Sequence, residues 1–165
     1  LEGRQYSRLV LMDAVTFSPW DAPYANHVKR YPDACRDLPA YIFRQISFIN
    51  SRRAFHKPMS DEELEPYLRP WFVKGGQDDY VRMECQYNER YHEEIEPLYE
   101  EVSAPTLIVW GKKDQWLPVS HAEKLQKRVP GSELSLIPEA GHFVSVDAPQ
   151  RVASLIDNFV KKGAA

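Results

Sequence analysis

The run Thr106-Leu107-Ile108-Val109-Trp110-Gly111 constrains this chain more than any other stretch. It is apolar without interruption, follows Pro105 and closes on a glycine. A strand with one wet face alternates polar and apolar residues, whereas a strand buried on both faces need not. The run therefore reads as a strand inside a parallel sheet with helices on its faces, which makes the fold class α/β. Two further runs read the same way: Arg8-Leu9-Val10-Leu11-Met12-Asp13, and the shorter, more alternating Glu133-Leu134-Ser135-Leu136-Ile137-Pro138. Between the second and third strands, Val119 to Val129 places Ala122, Leu125 and Val129 at helical spacing, and Pro130-Gly131 stops it. Strand, helix and parallel strand make one right-handed crossover. After the third strand, Pro149 to Lys162 carries Val152, Leu155, Ile156 and Phe159 as the apolar stripe of a closing helix. Asp147 and Pro149 suit the first turn of that helix.

The middle of the chain, Phe17 to Val102, has another texture: rich in Tyr, Arg, Glu and Pro, and without strand-like runs. Leu38 to Arg53 reads as a helix with Tyr41, Ile42, Gln45, Ile46 and Ile49 on one side. Ser60 and Glu63 stand at capping-box spacing ahead of a segment that Pro66 and Pro70 are expected to shorten or break. Asp78 to Ile95 keeps Val81, Cys85, Asn88, Tyr91 and Ile95 at helical intervals and reads as one helix. The expected organisation is thus a strand, an all-helical insert, and two more strands with their helices. Three strands make a small sheet, and nothing before Arg8 covers the first of them, so partner strands are expected from a preceding segment.

The formal net charge of −3 excludes the basic balance of a nucleic-acid-binding chain. No apolar run has the length of a bilayer span, so neither nucleic acid nor membrane is an expected partner. Cys35 and Cys85 lie far apart without metal-ligand or redox spacing, and are expected as free, buried thiols of a cytoplasmic protein, with a single disulfide as the alternative. No metal or organic cofactor is implied.

Two loops carry the chemistry. In Gly111-Lys112-Lys113-Asp114-Gln115-Trp116-Leu117-Pro118, an aspartate follows a buried strand by way of a glycine. In Glu139-Ala140-Gly141-His142-Phe143, a histidine follows the next strand in the same manner. Ligands and catalytic groups of open α/β sheets gather at the C-terminal ends of the strands. Asp114 and His142 are therefore expected side by side, the carboxylate fixing the imidazole tautomer and the far nitrogen moving a proton. Asp13, also at a strand end, is the reserve acid, with backbone hydrogen bonding as its plainer role. Trp116, Phe143 and Trp20 are candidates to line a substrate pocket. Trp71, Phe72, Tyr87 and Tyr91 are expected mainly as packing of the helical insert. His27, His56, His92 and His121 are expected at the surface, as are Lys112, Lys113 and the acidic stretch Glu93 to Glu101.

Ala104-Pro105-Thr106-Leu107-Ile108-Val109-Trp110-Gly111, with Asp114 and Pro118, resembles the penultimate core strand and acid loop of the α/β-hydrolase family. Pro130-Gly131-Ser132-Glu133-Leu134, Ala140-Gly141-His142-Phe143 and Asp147-Ala148-Pro149 resemble its last strand, histidine loop and final helix. Arg8 to Asp13 is similar to the strand after the nucleophile helix. The resemblance implies residues 1–16 as a core strand, 17–102 as a helical cap and 103–165 as the C-terminal part of the core. It also implies that the nucleophile elbow and the oxyanion donors lie upstream, since Gly3 and Gly75-Gly76 provide none. The implied activity of the complete protein is carboxylesterase-like: hydrolysis of a small ester or related acyl substrate by a Ser-Asp-His triad. An aspartate nucleophile would instead imply a dehalogenase or epoxide hydrolase. A non-catalytic ligand receptor on the same scaffold is the third reading. The expected partners are a small-molecule substrate and the N-terminal half of the same protein.

Overall fold

The computed structural model describes residues 6–19 and 22–162; Trp20 lies outside them. Three parallel strands, β1 (Leu9–Met12), β2 (Thr106–Gly111) and β3 (Glu133–Ile137), form a sheet in that order. Leu9 pairs with Thr106 and Met12 with Val109, while Leu107 pairs with Glu133 and Gly111 with Ile137. Every residue of β2 is buried, as its uninterrupted run predicts. Its side chains divide by alternation. Ile108 and Trp110 join Phe17, Leu117, Ala122, Leu125 and Val129 on the face covered by α7 (Val119–Arg128). Leu107 and Val109 join Ile137, Ala140, Val152 and Phe159 on the face covered by α9 (Pro149–Lys161). β1 was expected to be buried on both faces, but Leu9 to Leu11 are only half-buried and Met12 is exposed. Among the described residues β1 is an edge strand, with one neighbour instead of two.

Between β1 and β2 the described residues are helical. They form α1 (Pro23–Arg30), α2 (Pro32–Arg36), α3 (Ala40–Arg52), α4 (Asp61–Phe72), α5 (Gly76–Gln86), α6 (Arg90–Ile95) and a 3₁₀ turn at Glu96–Glu101. The expectation that Pro66 and Pro70 break α4 is corrected: the helix runs through both. Ser60 and Glu63 cap its start reciprocally, and Leu64 and Leu68 are buried against Phe48, Ala54 and Phe55. Tertiary burial of one face offsets the two lost backbone bonds. The single helix expected over Asp78 to Ile95 is also corrected, because the chain turns extended at Tyr87. Asn88 then accepts a hydrogen bond from Arg90 N–H and α6 begins. The apolar spacing had bridged a real break. α1 and α2, each opening on a proline, were not anticipated from periodicity.

Asp147 does not start the closing helix; it ends the single-turn α8 (Val144–Asp147), with its side chain buried. His27 is exposed as expected, but the other three histidines depart from expectation. His56 pairs with Glu139, His92 Nε2 lies 3.1 Å from Val15 O, and His121 packs edge-on against Phe17 with a buried Nδ1. Of the acidic stretch, Glu96 is mostly covered, accepting from Ser18 N–H and facing Lys124. Both cysteines are free thiols; Cys35 is buried as expected, but Cys85 is exposed, which corrects the expectation for it. Among the described residues no helix is long and apolar enough to cross a membrane.

Candidate active site

Parallel pairing brings the C-terminal ends of all three strands to one rim, and with them Asp13, the 112–118 loop and the 139–143 loop. The two loops are stitched together by main-chain bonds: Lys112 N–H donates to Ile137 O and Lys113 N–H to Ala140 O, both at 2.9 Å. Glycines permit this closeness. A Cβ on Gly111 would lie 2.1 Å from Gly141 O and 2.4 Å from Ala140 O. Neither Gly111 nor Gly141 has a positive φ; what they supply is room for backbone against backbone.

Asp114 and His142 meet as expected, with Nδ1 and Oδ2 2.9 Å apart. The Asp114 side chain is fully buried and the imidazole is 16% exposed. The carboxylate divides its work between its oxygens. Oδ1 accepts the N–H groups of Trp116 (2.7 Å) and Leu117 (2.9 Å), which fixes the turn, and Oδ2 faces the imidazole. Holding the turn and facing the imidazole are thus compatible for one carboxylate. α7 itself starts after Pro118, so Asp114 caps no helix. Among the described residues His142 Nε2 has no hydrogen-bond partner. An imidazole whose Nδ1–H is held by a carboxylate presents Nε2 as a base.

Trp116 and Phe143 flank the imidazole, with ring centroids at 5.0 and 5.4 Å. Trp116 also lines a cavity of about 70 Å³ together with Pro23, Asn50, Arg53, Glu84 and Gln115. Phe143 packs on Phe55 of the α3–α4 loop, and its N–H donates to Ala54 O.

Asp13 stands on the same rim. It is 5% exposed and holds a left-handed φ of 40°. Its Oδ1 accepts Gly111 N–H at 2.8 Å, while Oδ2 is buried without a partner among the described residues. Burial pushes its carboxyl up to about 7; the Gly111 N–H and the imidazole of His142 pull it down, and Asp114 pushes it up. His142 bonds to Asp114, so Asp13 takes the backbone role that was its plainer reading. Among the described residues no cluster of three or more His, Cys, Asp or Glu is arranged to hold a metal ion.

A family model described as "Alpha/beta hydrolase family" matches residues 3–155. Monoacylglycerol lipase ABHD6 of Mus musculus is 34% identical over 73 residues, 44% of this chain and 22% of that protein. The 2-hydroxy-6-oxononadienedioate/2-hydroxy-6-oxononatrienedioate hydrolase of Klebsiella pneumoniae is 31% identical over 85 residues, 52% of this chain and 29% of that protein. Among solved structures, an alpha/beta hydrolase fold protein from Burkholderia ambifaria superposes with a TM-score of 0.87 at 33% identity, covering 92% of this chain and 56% of that one. A meta-cleavage product hydrolase from Pseudomonas fluorescens IP01 superposes at 0.73 with 19% identity over 94% of this chain and 56% of that one, a likeness of fold alone. The chain spans about half the length of these solved structures.

Proposed function

The chain belongs to the alpha/beta hydrolase family, and from that premise we propose that it is the C-terminal half of an acyl hydrolase in which Asp114 and His142 complete a triad begun by a serine in the preceding segment. The observation that carries this reading is the 2.9 Å contact between a fully buried carboxylate and Nδ1 of an imidazole whose Nε2 stays open at the rim. Relatives named as a monoacylglycerol lipase and as a dienedioate hydrolase support hydrolysis as the reaction class.

In the proposed cycle, His142 Nε2 takes the proton of the serine hydroxyl as its oxygen attacks the substrate carbonyl. The imidazolium is stabilised by Asp114 and then gives that proton to the departing alkoxide, leaving an acyl-serine. Water enters, Nε2 takes one of its protons as the hydroxide attacks the acyl carbonyl, and the imidazolium returns that proton to the departing serine oxygen, giving the acid, free serine and neutral His142. The developing oxyanion is expected to rest on backbone N–H groups of the preceding segment. The helical residues between β1 and β2 act as a cap, and the cavity beside Trp116 takes the non-reacting part of a small substrate.

The test is turnover of p-nitrophenyl acetate by the complete protein, together with labelling by a fluorophosphonate. Loss of both on His142→Ala in a folded variant supports the reading. Turnover without fluorophosphonate labelling points to an aspartate nucleophile, and absence of both in the native protein points to a binding role.

A further inference from the structure

We propose that Asp147 is a positioning residue for His142, one that ties the histidine loop to the loop between α3 and α4; the proposal rests on the reading of His142 as the proton carrier. The Asp147 carboxylate is 4% exposed, and three backbone N–H groups donate to it. Oδ2 accepts from Gly141 at 2.8 Å and from His56 at 2.8 Å, and Oδ1 accepts from Lys57 at 3.2 Å. On the other side of His142, Phe143 N–H donates to Ala54 O at 3.1 Å. The residues immediately before and after His142 are thus both anchored, one by the carboxylate and one by the 54–57 loop. The same carboxylate holds that loop in place.

Gly141 makes the approach sterically open. A Cβ there would fall 2.7 Å from Ala54 O and 2.9 Å from His56 N. His56 Nε2, 2.8 Å from Glu139 Oε2, links the loop to the residue two positions before Gly141. Only an acceptor-only group satisfies three converging N–H donors. An asparagine has a single acceptor oxygen, and its NH₂ would confront at least one of those donors. The histidine peptide would then lose an anchor while Asp114 and His142 keep their chemistry. Small misplacements of a reacting group are costly in rate, on the order of 10²-fold for about 1 Å.

The test uses the complete protein with Asp147→Asn and Asp147→Glu, ring-¹⁵N-labelled histidine and p-nitrophenyl acetate as the probe. The expected result is a fall in kcat of about 10- to 100-fold with KM within about twofold. The His142 ring-nitrogen resonances move while those of exposed His27 stay. Asp147→Glu, which keeps the charge and displaces it by one methylene, falls between native and Asp147→Asn. Native kcat and native His142 resonances in Asp147→Asn overturn the proposal, and so does an equal change at His27. Failure of both variants to fold overturns it too, because the carboxylate would then serve the fold as a whole. The NMR arm needs no substrate, so a native protein that leaves p-nitrophenyl acetate untouched counts against the hydrolytic reading and not against this coupling.

Discussion

Asp13 and Asp114 are carboxylates on one rim with opposite surroundings. Asp114 accepts two peptide N–H groups and faces an imidazole, so both of its oxygens are engaged. Asp13 accepts Gly111 N–H on one oxygen while the other is buried, and burial raises its carboxyl from 3.8 to about 7. Below about pH 4 the folded and unfolded chains both carry that proton. Between about pH 4 and 7 the folded state keeps a proton that the unfolded chain has released, so stability falls as pH rises and levels off above 7, by up to about 4 kcal/mol. Asp13→Asn should flatten this fall. Urea midpoints of native and variant protein at about pH 4.5 and 7.5 check it, and parallel pH dependences would contradict it. Asp114 and His142 were legible in the sequence because each follows a buried strand through a glycine, a local pattern. The environment of Asp13 and the three donors on Asp147 were not, since they come from residues as distant in sequence as Gly111 and His56.

At the scale of elements, local chemistry and tertiary packing contribute differently. The capping box at Ser60 is local and was readable as such. Ser60→Ala should cost about 1 kcal/mol of stability, read from chemical denaturation, and leave turnover unchanged. The continuity of α4 through Pro66 and Pro70 was not readable, because it depends on Leu64 and Leu68 finding Phe48 and Phe55. The break at Tyr87 escaped for the converse reason: Val81 before it is buried, whereas Tyr91 and Ile95, which keep the helical spacing after it, are exposed rather than part of the same buried stripe. The strands were read to within a residue or two because β2 is buried on both faces, a condition that leaves its mark in composition. Gly111→Ala tests how the two loops meet. Its methyl would collide with main-chain atoms that cannot swing aside, so a loss of about 3 kcal/mol or more is expected in thermal or urea unfolding. A substitution tolerated without loss would show the loops to be more loosely joined.

On the scale of the whole molecule, the described residues form a doubly covered parallel sheet with helices between its first two strands, and one rim gathers the acid and the histidine. The chain spans about half the length of the solved structures it matches, and the proposed reaction draws its nucleophile from a preceding segment. The measurement that bears most directly on this is kcat for p-nitrophenyl acetate with the complete protein carrying Asp114→Asn, compared with native protein of equal folded fraction. Loss of a carboxylate that orients an imidazole costs on the order of 10⁴-fold in serine hydrolases of unrelated fold, and a fall of about 10³-fold or more is the predicted result. A variant that turns over within about threefold of native would contradict the pairing of Asp114 with His142 as the source of activity.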